Sequence, residues 1–241
     1  MDMNLIVSEI GNGSETELSD EAMNDIIQSI PSPLELAAVI RGTGVDFNEE
    51  ILNPVENVNL NATSYDKALS MGIFSGDLGY INMYEKSYLA LNYLGSIKKL
   101  ADELKIGHFF DFATIKRLAS NSDKIDSLLY ISTTNFSKMD NYLRSQKRSN
   151  LSALIVAGSW IEVLYIATEI ASSNPSDELI ERIGEQKIAL DQIMLILEIY
   201  KTDPYFQELS ENYASIQGIY DEITITYNYQ EPETKEVDGR L

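Results

Sequence analysis

The chain has 241 residues, enough for one large domain or two modest ones with a sizeable core. Its 44% hydrophobic and 23% charged residues exclude wholesale disorder, collagen-like repeats and a polytopic membrane protein. With 18 Lys and Arg against 38 Asp and Glu the net charge is −20, a sign that repels phosphate backbones and sets nucleic acid aside as a partner.

From the amino terminus, MDMNLIVSEIGNGSETELSDE has no basic stretch, and its apolar run of Leu5 to Val7 is too short for the core of a signal peptide. Either the chain works in the cytoplasm, or it is the mature form of an exported protein whose signal has been removed. Residues 1–16 read as a flexible arm, 17–222 as a single all-α domain, and 223–241 as a tail that alternates briefly like a strand before turning polar. The first helix begins after Ser19, with Ala22, Ile26, Ile27 and Ile30 at helical spacing, and ends at Pro31 and Pro33. Leu34 to Ile40 makes a second, closed by Gly42-Thr43-Gly44, and Phe47 to Leu52 a third that stops before Pro54. From Thr63 the pattern is nearly continuous helix over 63–92, 96–105, 108–120, 123–145, 149–172, 176–201 and 204–222, with Asn, Ser, Asp or Pro at the joints. Strand signals are almost absent, so the fold class is all-α, a multi-helix bundle or array.

Leu151 to Ala171 is apolar over a length close to the roughly 20 residues a spanning helix needs. Glu162 stands at its middle, and Ser152, Ser159, Glu162 and Glu169 fall within roughly a 100° arc of a helical wheel. This reads as a thin solvent stripe on a buried core helix, with no transmembrane helix in the chain.

The chain also matches itself at an offset of 85. Ala68-Leu69 aligns with Ala153-Leu154, Gly72 with Ala157, Asp77 with Glu162, and Tyr80-Ile81 with Tyr165-Ile166. Two duplicated helical halves, 63–147 and 148–222, would pack about a pseudo-symmetry axis. Gly72, Gly76 and Gly79, with Ala153 and Ala157, form smooth stripes for close helix packing or for a ligand lying against backbone. No strand precedes Gly72-Ile73-Phe74-Ser75-Gly76-Asp77, so a phosphate loop is not supported.

Three stretches, Gly76-Asp77-Leu78-Gly79-Tyr80, Ser96-Ile97-Lys98-Lys99-Leu100-Ala101 and Gly158-Ser159-Trp160-Ile161-Glu162, carry a wider likeness. Over about residues 30–205 the chain resembles an uncharacterised all-helical family of Bacteroidetes-type bacteria, many of whose members are exported lipoproteins. The resemblance implies a periplasmic or membrane-anchored location and no mechanism. The chain departs from the exported form in lacking a signal and a lipobox cysteine.

The chemistry on offer is narrow. Zero cysteines remove disulfides, thiol nucleophiles, zinc ribbons and iron–sulfur ligation. The lone histidine, His108, sits in KIGHFFDF with no nucleophile motif nearby and reads as a surface or core-rim imidazole. Neither Glu-x-x-His pairs nor an Asp-rich calcium loop occurs, so no metal and no cofactor are expected. The candidate ligand-binding residues are Asp77 and Glu162 with Tyr80, Tyr165 and Trp160 around them. Two carboxylates from two helices could hold a cation or divide acid and base roles, but two solvated stripes, Asp66-Ser70-Asp77 and Ser152-Ser159-Glu162, explain both more simply. Arg144, Lys147 and Arg148 form a basic cluster at a helix joint, fit to cap a helix or to mark an anion site. The expected function is therefore a non-catalytic binding or interaction protein of the cell envelope. A small-ligand or cation site, or an enzyme with a carboxylate and tyrosine pocket between the halves, is the alternative.

Overall fold

A computed structural model describes residues 26, 27, 30, 33–119 and 125–226. Among them the chain is all helical: α1 (Pro33–Gly42), α2 (Ser64–Met83), α3 (Ser87–Glu103), α4 (Phe112–Ala119), α5 (Ile125–Ser145), α6 (Ser149–Ser173), α7 (Asp177–Ile199) and α8 (Pro204–Tyr220), with 3-10 turns at Val55–Asn59 and Gly107–Phe109. The expected arm over 1–16, most of the helix around Ile26 and most of the tail lie outside the described residues. Ile26 and Ile27 are helical, and Ile27 is buried in the core.

Local chemistry explains most helix starts. Thr63 and Asp66 close a reciprocal capping box on α2, Ser176 accepts from Leu179 N at the start of α7, and Asp203 with Pro204 opens α8. Asp111 Oδ1 accepts from Thr114 N, which is why α4 begins later than the apolar spacing from 108 suggests.

Two expectations are corrected. The stretch 63–92 is two helices, because Glu85 adopts φ 58° and closes α2 with paired bonds from Lys86 N to Ile81 O and from Glu85 N to Asn82 O. Such a Schellman end usually carries glycine, so a glutamate there gives no stop signal in the sequence. Phe47 to Leu52 forms no helix. It belongs to an irregular strap over residues 44–54, held by turns of its own, Glu50 N to Asn48 Oδ1 and Leu52 N to Glu49 O, and by bonds to α2, Asn48 N to Tyr80 OH and Asn53 N to Asp77 Oδ1.

α2 and α6 form the centre. Tyr65 OH accepts from Asn150 Nδ2 at 3.1 Å. Further along, Gly72 abuts Ile155 and Ser159, and Gly76 abuts Ser159 and Glu162. The difference in residue number stays near 85 throughout, which requires the two helices to run side by side in the same direction. The offset of self-similarity is thus also the contact register. After α2 come three helices and after α6 two, so the fold carries this pairing but does not show two matching halves. α3 packs on α2, α7 on α6 and α8 on α7, while α1 lies across α2, α6 and α7. α6 is long and apolar enough to cross a membrane, yet 67% of its most apolar window is buried within the bundle, as a core helix should be.

Candidate functional site

The α2–α6 crossing is built on absent side chains. A Cβ at Gly72 would lie 2.1 Å from Ile155 O, and one at Gly158 would lie 2.2 Å from Leu69 O, so each glycine admits the backbone of the other helix. The small-residue stripe therefore serves close packing. Gly158 belongs to it as fully as Gly72, although Ala153 and Ala157 were the residues its spacing singled out on α6.

That approach brings Asp77 and Glu162 together, and it overturns the solvated-stripe reading. Asp77 is 0% exposed, Glu162 is 9% exposed and Ser152 is 0% exposed, because the polar arc of α6 from Ser152 to Glu162 faces α2 instead of water, and only Glu169 at its end is exposed. Asp77 Oδ1 accepts a 3.3 Å bond from Asn53 N in the strap. Its Oδ2 meets no donor, and the polar group beside it is the Glu162 carboxyl. Burial, and then the neighbouring Glu162, raise the Asp77 pKa far above the usual carboxylate range; burial raises that of Glu162 as well.

The other expected members separate. Tyr80 is fully buried on the same helix as Asp77, stacks on Phe47 at 5.2 Å between ring centroids, and its hydroxyl accepts from Asn48 N at 3.1 Å. It holds the strap. Trp160 faces away, with Nε1 donating to Gln186 Oε1 at 3.1 Å and its ring beside Tyr213. Tyr165 is 44% exposed. Neither joins the carboxyl pair: Trp160, two positions from Glu162, points to another side of the helix, and the Tyr165 side chain is turned to solvent. Tyr93, which the sequence reading passed over, does join: its hydroxyl donates to Asn53 O at 2.8 Å, and burial followed by the charge of Asp77 pushes its pKa up. Tyr84 completes the pinning by donating to Val45 O at 2.9 Å.

His108 is exposed on a 3-10 turn beside Phe109 and Tyr142, far from any nucleophile constellation. In the basic cluster, Arg144 pairs with Asp140 one turn away on α5, and Arg148, the residue before α6, donates to Leu104 O at the end of α3 at 3.1 Å and so ties these two helix ends together. No group of three or more His, Asp or Glu that could hold a metal occurs among the described residues.

On the outer side of the strap lies a groove of about 680 Å³, bounded by Asp46, Phe47 and Asn48 on one side and by Glu169, Ile170 and Ser173 at the end of α6 on the other. Asp46 and Glu169 are exposed at its rim, and Ser172, Ser173 and Asn174 at the C-terminal end of α6 line it. A helix C-terminus carries negative partial charge, so the floor and the rim have the same sign. Lys86 covers the Phe47 ring at 5.4 Å. Comparison of the chain with protein-family models, curated proteins and solved structures finds no match.

Proposed function

We propose that the chain is a non-catalytic binding module of the cell envelope that takes a positively charged segment of a partner into the groove between the strap and the end of α6. The observation that carries this reading is the groove itself. Its volume falls in the range of small-ligand and peptide sites, it is open to solvent, and the carboxylates and helix end around it favour a cation. Lys86 over the Phe47 ring shows how the stem of a lysine can lie against this wall of the groove. The net charge of −20 would draw such a partner in from a distance. An enzyme using the buried carboxyls is less well supported, because Asp77 is closed off from solvent and the expected tyrosine partner Tyr165 and Trp160 point elsewhere. The envelope location rests on the family resemblance alone.

The test is calorimetric titration with a Lys- and Arg-rich peptide at low and at moderate salt, using wild type and the double variant Asp46→Asn with Glu169→Gln. We expect the double variant to bind at least about tenfold more weakly, the loss of about 1.4 kcal/mol that two exposed charges on a cationic ligand can contribute. Equal affinity in the two proteins would mean that the overall negative charge attracts the peptide with no particular site. Fractionation of source cells checks the location, and recovery of the chain with the cytoplasmic pool would remove the envelope assignment.

A further inference from the structure

We propose that Asp77 and Glu162 share one proton and form a clasp between α2 and α6 that loosens when the proton is lost. The inference does not depend on what the groove binds. It starts from placement: Asp77 is fully buried, Glu162 touches solvent only at 9% exposure, and the glycine beside Asp77 lets the two helices approach until a Cβ at Gly76 would stand 3.0 Å from Glu162 Cβ. Asp77 Oδ1 has the Asn53 amide, while the buried Oδ2 has no donor and faces the other carboxyl. Two ionised carboxylates offer each other no donor and repel in a dry site, whereas one proton between them turns the orphaned oxygen into a hydrogen-bond donor.

The groups around the pair leave the proton as the means of neutralising it. From α3 comes the Tyr93 hydroxyl, already donated to Asn53 O. From the strap and the turn after it come Glu49 and Glu56, which add to the negative field at Tyr93. The cation of α1, Arg41, lies over the Tyr84 ring at 5.2 Å, and Lys67 of α2 is engaged by Glu103 at 2.9 Å. Among the described residues no lysine or arginine pairs with either carboxyl.

The clasp also reaches the strap, because Asp77 holds Asn53 from one side and Tyr93 holds it from the other. Loss of the proton would set two negative charges against each other within the close α2–α6 crossing and slacken the strap with it. The sign follows from the raised folded-state pKa values: the unfolded chain releases these protons in the ordinary carboxylate range, and the folded chain keeps one. The clasp's contribution is therefore whole in acid, and it is lost as the pH climbs through the folded-state values.

The experiment is urea unfolding of the full chain from about pH 5 to about pH 9 at fixed ionic strength, for wild type and Asp77→Asn. The amide can donate to Glu162 as the protonated carboxyl does, but it has no proton to lose. We expect the wild-type folding constant to fall with pH by up to about tenfold per unit more steeply than that of Asp77→Asn. Infrared spectroscopy of the wild type should show a protonated carboxyl band at neutral pH that disappears in alkali. Hydrogen exchange at Asn53, corrected for its intrinsic rate, should accelerate over the same interval. Parallel pH slopes, or the absence of the band at neutral pH, would overturn the proposal, and the infrared test stands even if Asp77→Asn fails to fold. Stabilisation of the wild type but not of Asp77→Asn by Ca²⁺ or Mn²⁺ at constant ionic strength would overturn it in favour of a cation at the same oxygens.

Discussion

Gly72→Ala would carry a methyl group to within 2.1 Å of Ile155 O and 2.7 Å of Ser159 N, backbone atoms of a packed helix that cannot swing aside as a side chain can. The helices would have to separate, and overpacking of this kind costs about 1–3 kcal/mol, set against the smaller gain of replacing glycine inside a helix. Gly95→Ala is the matching control. It lies within α3, nothing stands within 4 Å of the added Cβ, and it should stabilise by about 0.5–1 kcal/mol. Urea midpoints of the two variants should therefore move in opposite directions, and a neutral Gly72→Ala would show that the crossing is looser than its geometry. The spacing of glycines on α2 announced a close approach, but it could not say what approached. A small residue is equally suited to a ligand or a helix until the partner backbone, here that of α6, is in place. The same limit applied to Asp77 and Glu162: a polar arc on an apolar helix normally faces water, and only the contact between the two arcs makes this one a buried pair.

Three helix ends share one construction. Glu85, Lys105 and Lys147 have φ of 58°, 63° and 54°, and each is followed by a residue whose amide reaches back to the carbonyl five positions earlier, Ile81, Ala101 and Leu143. These are Schellman closures with a charged residue at the position where glycine is commonest. Their absence of glycine explains why the break after α2 could not be read from the sequence, whereas the starts at Thr63, Ser176 and Asp203 could, since their cap residues are of the expected types. A side chain in the left-handed region is strained by roughly 1–2 kcal/mol, partly recovered because glycine would lose more freedom on folding. Lys147→Gly, at an exposed position, should therefore raise stability by about 0.5–1 kcal/mol, while Lys147→Ala, which keeps the Cβ, should leave it nearly unchanged. Equal effects of the two substitutions in thermal unfolding would mean that the lysine charge, not its backbone, sets the energy of that turn.

The helical class and the interior position of α6 follow from period and composition, because a helix apolar almost all round must be enclosed by others. The groove was not legible in the same way: it is made by an irregular strap and a helix end that are 120 residues apart, and neither carries a periodic signal. Charge acts at the largest scale. Eighteen basic residues against 38 acidic ones leave a surface that repels itself, and the described ion pairs are few and mostly exposed, so they offset little of it. At about 0.01 M salt the screening length is near 30 Å, comparable with the molecule, and at about 0.1 M it falls to near 10 Å. The melting temperature should therefore climb over that interval, alike with sodium or choline chloride if screening and not a bound ion is responsible. The stability difference between wild type and Asp77→Asn should stay constant across the same series, since a pair sealed between α2 and α6 is hardly reached by mobile ions. A difference that shrank with salt would place the Asp77 charge in contact with solvent and would contradict the closed crossing, whereas a melting temperature insensitive to salt would show that the acidic surface exerts no net strain on the fold.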